Sequence, residues 1–195
     1  RFCHFGVATA KMAVKDADID ISREKSSRCG VCFGTTIGAE NDIYEHQHRR
    51  FLEFGPKAVG RYTAPEVTLH VATGYICSEL KITGPNSTLS SGCSSGLDIV
   101  NWGYSMIRGG EVDMAVVGCA DSMIFPFAMS TFCSLGILSK RNEEPEKASR
   151  PYDNDRDGLV ASEGGVSIVV EDLNHALERD ANIYAEIVSY ATACE

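Results

Sequence analysis

The sequence predicts an α/β fold in which a mixed or largely parallel sheet lies between helical layers. Three observations carry this expectation. Stretches with helical spacing alternate with short apolar runs from one end of the chain to the other. The run Met114-Ala115-Val116-Val117-Gly118 is apolar throughout, as in a strand covered on both faces. No internal repeat or low-complexity tract interrupts the alternation.

Taken in order, Phe2 to Asp18 reads as a helix with Phe5, Ala8, Met12 and Ala13 on its apolar face. Cys29 to Gly34 is strand-like, with Val31 to Phe33 at its centre. Residues 40 to 63 are polar and aromatic, a loop or broken helix. Pro65 to Leu80 is a helix, Pro65 suiting its first turn. Asn86 to Leu89 is a short strand. Ser94 to Ile107 follows as a central helix buried all round, with Leu97, Val100, Tyr104 and Ile107 about one turn apart. After the Met114–Gly118 strand, Phe125 to Leu135 is apolar and helix-like, and Asn142 to Lys147 a charged loop. Val166 to Val170 is a further strand, Asp172 to Glu178 an amphipathic helix, and Ile183 to Val188 a final strand.

The 195 residues make one domain's worth of chain, 1–195, long enough for a real core. A hydrophobic content of 44% with 23% charged residues is that of a soluble globular protein. No apolar run approaches the roughly 20 residues of a membrane-spanning helix, and a net charge of −9 argues against nucleic acid as a general partner. The cluster Arg49, Arg50, Lys57 and Arg61 reads as a solvated face or a local docking patch.

Eight cysteines without a disulfide-like framework fit a reducing cytoplasm. Cys3, Cys77, Cys119, Cys133 and Cys194 fall in apolar segments, as buried small hydrophobes do. Cys29-Gly30-Val31-Cys32 lacks the second pair that a zinc site needs. Asp153-Asn154-Asp155-Arg156-Asp157-Gly158 mimics the start of a calcium loop, but glycine stands where the closing acidic ligand belongs, so an Asx-rich turn is the better reading. No metal site is expected.

Cys93 is different. In Ser90-Ser91-Gly92-Cys93-Ser94-Ser95-Gly96-Leu97 a strand breaks into small residues, presents one thiol and enters a helix. That is the strand–turn–helix elbow which exposes a nucleophile. A helix N-terminus favours a thiolate by roughly 0.3–1 kcal/mol. The residues alone leave two readings open, an activated nucleophile and a buried structural cysteine.

Several ordered motifs over nearly the whole chain resemble the N-terminal half of β-ketoacyl-acyl-carrier-protein synthases, condensing enzymes of the thiolase-like fold. They are Gly84-Pro85-Asn86-Ser87 with Ser91-Gly92-Cys93-Ser94-Ser95-Gly96-Leu97, and Gly109-Gly110-Glu111-Val112-Asp113 with its following strand. Leu138-Ser139-Lys140-Arg141-Asn142, Ser149-Arg150-Pro151-Tyr152-Asp153, Asp155-Arg156-Asp157-Gly158-Leu159-Val160 and Ile183-Tyr184-Ala185-Glu186-Ile187 complete the match. Ser91-Gly92-Cys93 with Leu97-Asp98, and Tyr190-Ala191-Thr192, are also similar to ketosynthases of aromatic and polyene polyketide pathways.

The resemblance implies that Cys93 accepts an acyl chain as a thioester and lends its own backbone N–H to the oxyanion hole, before decarboxylative condensation with a malonyl unit. It implies no cofactor beyond the phosphopantetheine arm of an acyl carrier protein, and a homodimer or ketosynthase heterodimer. Ile37 matches a position lining the acyl pocket and Phe132 an aromatic gate; ordinary core is the alternative for both. Glu163 matches an acidic residue near the site, in a structural hydrogen-bonding role. The family's two histidines and lysine for condensation come from its C-terminal half, and none of His4, His46, His48, His70 and His175 lies in those motifs. The chain therefore reads as a piece of a longer synthase, without the first strand and the second half. A non-catalytic partner subunit is the alternative, were the 195 residues complete. Where the family often has Arg before its Ala-Leu-Ser, this chain has Gly136.

Overall fold

A computed structural model describes residues 1–38 and 40–193. The chain divides into two compact units. One comprises Arg1–Thr36, Leu69–Asp121 and the segment from Gly165 on; the other comprises Ile37–Thr68 and Ser122–Gly164.

The first unit is built on a sheet of four strands among the described residues, in the order β2-β1-β3-β4: β1 (Cys29–Gly34), β2 (Asn86–Leu89), β3 (Met114–Ser122) and β4 (Glu163–Glu171). β1 runs parallel to β2, with Val31 opposite Asn86, and parallel to β3, with Cys29 opposite Met114. β4 runs the other way. Asp172 N–H donates to the Asp113 carbonyl at one end, whereas Gly165 abuts Ala120 near the other. The sheet is therefore mixed and mostly parallel, as predicted.

Helices cover both faces. α1 (Phe2–Asp16) and α4 (Val71–Leu80) pack on one side, α5 (Ser95–Arg108) on the other. The period of two along β1 shares out the contacts. Phe33 points to α1, where a Cβ on Gly6 would stand 2.8 Å from its ring. Cys32 faces α5 and joins Ile99, Val112, Ala115, Val117 and Val170 in the core. α5 lies close to the sheet because its inner face is small: a Cβ on Gly103 would meet Val170 at 2.7 Å and Val117 at 2.9 Å.

Several sequence expectations are corrected here. The buried face of α1 is Phe2, Gly6, Ala10 and Val14, not Ala8 and Met12; Met12 is 68% exposed. At Gly6 the helix comes so near the Phe33 ring that only glycine fits. α5 is not buried all round: Ser95, Ile99 and Gly103 are buried, and Leu97 is 71% exposed. The helix expected from Pro65 to Leu80 is two, α3 (Thr63–Val67) and α4. Thr68 turns extended between them, its hydroxyl donating to the Pro65 carbonyl at 2.9 Å. Ile183–Val188 forms no strand, because a strand needs a partner ladder and the sheet ends at β2 and β4. α7 (Leu173–Glu178) starts as the sequence predicts, Asp172 capping the N–H groups of Asn174 and His175.

In the second unit, residues expected as a loop or broken helix form the continuous α2 (Glu40–Phe54). Its Gln47 accepts the Gly60 N–H, and Arg50 reaches the Ala58 carbonyl, so the following turn folds back onto it. Arg49 pairs with Glu45, and Arg61 lies over the Tyr62 ring; both arginines sit on a solvated face. α6 (Pro126–Leu135) ends at Gly136, whose φ of 68° is the left-handed closing conformation that favours glycine. Farther on, Leu138 bridges Leu159. The aspartate-rich segment is an Asx turn: Asp153 Oδ1 accepts the Asp155 N–H at 2.7 Å and its Oδ2 accepts from Arg150 at 2.9 Å.

Candidate active site

Cys93 stands where the carboxyl ends of three parallel strands meet, the usual place for a site in an α/β sheet. β2 ends at Leu89, opposite Gly34 at the end of β1. The chain then turns through Ser91 and Gly92, makes one 3₁₀ turn over Gly92–Ser94 and enters α5 at Ser95. Gly92 has φ +70°, and a Cβ there would meet nothing within 4 Å. Conformation rather than space calls for glycine immediately before the thiol. Cys93 itself is exposed.

The turn is held from inside. The buried Ser95 hydroxyl accepts the Ser91 N–H at 2.9 Å and donates to the Gly92 carbonyl at 2.7 Å. That carbonyl also accepts from the Thr36 hydroxyl at 3.0 Å. The Thr36 N–H and the Thr35 hydroxyl reach Asp121 near the end of β3, at 3.0 and 2.8 Å. The tips of β1 and β3 thus anchor the loop that carries the nucleophile.

It is held from outside by Asp98, in the first turn of α5. Its carboxylate accepts from the hydroxyls of Ser91, Ser94 (3.2 Å) and Tyr190. The bonds from Ser91 and then Tyr190 hold the Asp98 carboxyl below the usual carboxylate range, and the same contact with Asp98 raises the Tyr190 phenol.

The other thiols are set apart. Burial pushes Cys29 up to about 11 and Cys32 up to about 12, and raises Cys119 to about 11. Burial also raises Cys77. Such thiols are protonated at neutral pH and poor nucleophiles. Two expectations change: Cys133 is exposed, because α6 buries only Ala128, and Cys3, Cys77 and Cys119 are half-buried rather than buried. Cys194 lies outside the described residues.

Ile37 and Phe132 are both half-buried and belong to the second unit, Cys93 to the first. Glu163, also of the second unit, accepts from the buried Ser122 hydroxyl at 3.0 Å. His175 is engaged elsewhere, between Glu171 (2.5 Å) and Glu24 (3.1 Å). Among the described residues no group of three or more His, Cys, Asp or Glu could hold a metal ion, and no helix is long and apolar enough to cross a membrane. Sequence reasoning missed Asp98, Tyr190, Thr36 and Asp121 as parts of the site. Only Asp98, one turn into the helix that follows the thiol, stood at a spacing that could have given it away.

Residues 1–176 match the family model of the beta-ketoacyl synthase N-terminal domain. The 3-oxoacyl-(acyl-carrier-protein) synthase 2 of Vibrio cholerae serotype O1 is 35% identical over 97% of this chain and 45% of its own length. Among solved structures, a type II polyketide synthase acyl-carrier protein in complex with its ketosynthase (AntDE:AntF) superposes with a TM-score of 0.88. It is 28% identical, over 94% of this chain and 46% of that one. The ishigamide ketosynthase/chain length factor superposes with a TM-score of 0.84 and is 31% identical, over 96% of this chain and 45% of that one. The chain spans about half the length of the curated relatives it matches.

Proposed function

The chain belongs to the β-ketoacyl synthase family, and from that premise we propose that it is the N-terminal half of an acyl-carrier-protein-dependent condensing enzyme with Cys93 as its acyl acceptor. The observation that carries this reading is the elbow itself: one exposed thiol, preceded by a glycine at positive φ and followed at once by a helix, at the ends of parallel strands. Carried by Cys93, the thiolate attacks the thioester carbonyl of an acyl chain on the phosphopantetheine arm of a carrier protein. A new thioester forms on Sγ, the carrier's thiolate leaves, and it takes up the proton that Cys93 gave. A malonyl unit then loses carbon dioxide, and its carbanion attacks the Cys93 thioester; the C–Sγ bond breaks, and the Cys93 thiolate leaves and regains a proton from solvent. On the family resemblance, the acid–base groups for this second step come from the half of the relatives that the chain does not span. Residues 1–195 are read as one such N-terminal domain, with Ile37 and Phe132 along the acyl path and Glu163 in a supporting role through Ser122. The protein itself needs no cofactor.

A polyketide pathway is the second reading, suggested by Ser91-Gly92-Cys93 with Asp98 and by likeness to the ketosynthase of a type II polyketide synthase. On that reading the partners are an acyl carrier protein and a second ketosynthase-like subunit; on the fatty-acid reading the second subunit is a copy of this chain. A reducing, cytoplasmic setting is consistent with free thiols at all seven described cysteines.

The test uses the full-length protein with acyl-loaded and malonyl-loaded carrier. One carbon dioxide released per acyl chain consumed, abolished by Cys93→Ala, supports the enzyme. Equal pathway output from Cys93→Ala would make this chain a non-catalytic partner instead.

A further inference from the structure

Cys93 is solvent-exposed, and so are Ser91 and Ser94 on either side of it. Serine hydroxyls at an open turn ordinarily exchange freely with water. Here both are taken up by one carboxylate, Asp98, whose donors are three hydroxyls rather than the backbone N–H groups a first-turn acid commonly serves. The third donor, Tyr190, comes from a part of the chain 92 residues away. Its segment has no helix or strand, yet it is held in two further ways: the Tyr104 hydroxyl of α5 donates to the Val188 carbonyl at 3.4 Å, and Ile187 packs against the core cluster to which Ile99 belongs. Fixing a tyrosine from an irregular segment at this point costs conformational entropy, and the fold spends it on the residue that grips both neighbours of the thiol.

We propose that Asp98 and Tyr190 are positioning residues for Cys93: the carboxylate clamps the two serines that flank the nucleophile, and the tyrosine hydroxyl fixes the carboxylate. Ser95 and Thr36 hold the Gly92 carbonyl from within, and Asp98 with Tyr190 closes the loop from without. Between the two clamps the thiol has a set direction of approach to a thioester carbonyl. Misplacement of about 1 Å is enough to cost a hundred-fold in such a reaction. This inference rests on the reading of Cys93 as acyl acceptor.

The experiment follows acylation of Cys93 in the full-length protein by site-resolved mass spectrometry, against acyl-carrier concentration, with iodoacetamide alkylation of the same thiol in parallel. Asp98→Ala is expected to slow acylation at saturating donor by about ten- to a hundred-fold, with the half-saturating concentration unchanged. Tyr190→Phe, which removes one hydroxyl and leaves the packing, is expected to slow it in the same sense. Ser91→Ala is expected to slow it and Ser91→Thr to restore it, since threonine keeps the hydroxyl that Asp98 accepts from. Combined with Asp98→Ala, Ser91→Ala should add nothing further, as for two members of one network. Rates within twofold of wild type in both Asp98→Ala and Tyr190→Phe would overturn the proposal, as would equal behaviour of the two Ser91 variants. If the donor never acylates wild-type Cys93 but alkylation follows the predicted order, the functional reading fails and the positioning role stands. If alkylation is also indifferent to the variants, the positioning role fails.

Discussion

The ring of Phe33 lies directly over Gly6: a methyl group at position 6 would come within 2.8 Å of its Cζ and 2.9 Å of Cε1. Phe33 is 1% exposed, and on its far side a Cβ at Gly118 would meet Cε2 at 2.8 Å, so the ring has nowhere to turn. Helix α1 and strand β3 grip it through two glycines. Gly6→Ala gains up to about 1 kcal/mol of helix propensity but overpacks a closed site at about 1–3 kcal/mol. The net expectation is a loss of up to about 2 kcal/mol, read as a lower denaturant midpoint at unchanged slope. Gly118→Ala should cost more, because its Cβ would also stand 2.6 Å from the Val166 carbonyl, which is held in the sheet.

Stability should fall as pH rises above neutral. Burial disfavours the charged His175 ring, but the carboxylates of Glu171 and Glu24 outweigh it and raise the pKa above 6.5. A raised folded pKa contributes stability that is fully present below the unfolded value and is lost as pH climbs through the folded one. Burial likewise opposes the Glu171 carboxylate, but Arg179 and His175 outweigh it and hold its pKa below 4.5. That contribution is present above 4.5 and is lost on acidification. Asp113, Glu24 and Arg179 are the other charges around the ring. Chemical denaturation from pH 5 to 9 should show the alkaline loss in wild type and a flatter profile in His175→Gln.

Gly136 stands where the family resemblance leads one to expect arginine, and its φ is 68°. Gly136→Arg forces a side chain into the left-handed region at the end of α6. A loss of about 1–2 kcal/mol is expected, measured by thermal or denaturant unfolding. A variant as stable as wild type would show that α6 ends without needing glycine.

Limited alkylation should sort the cysteines by environment. Cys93 and Cys133 are exposed and are expected to react first at pH 8. Cys29 and Cys32, buried in β1 with pKa values pushed to about 11 and 12, should react only on unfolding. Cys133→Ser should leave acyl transfer unchanged, which separates an accessible thiol from a functional one. Peptide-resolved mass spectrometry reads both outcomes.

The nucleophile elbow and most of the sheet were legible in the sequence, because both are local. Asn86–Leu89 is a strand of the predicted extent, and the chain breaks into the small-residue turn expected after it, with Gly92 at positive φ. The missed features depend on partners that spacing does not reveal. The buried side of α1 is marked by small residues such as Gly6 and Ala10, which carry little hydrophobic signal, and at Gly6 the nearness of the Phe33 ring leaves no room for a side chain. Ile183–Val188 has strand-like composition, but no strand stands beside it to pair with. α2 is polar, and its following turn is fastened by Gln47 and Arg50, contacts that a period analysis does not see. Tyr190 and Asp98 meet across most of the chain, so their pairing appears only once the fold is known.

The central claim is that Cys93 carries the acyl chain, and the mass of the acyl-enzyme tests it most directly. The full-length protein, mixed briefly with acyl-loaded carrier and no malonyl donor, should gain the mass of one acyl group, located on the peptide that contains Cys93 and absent from Cys93→Ser. An acyl group found on another residue, or a carrier that keeps its acyl chain while Cys93 stays free, would contradict the account.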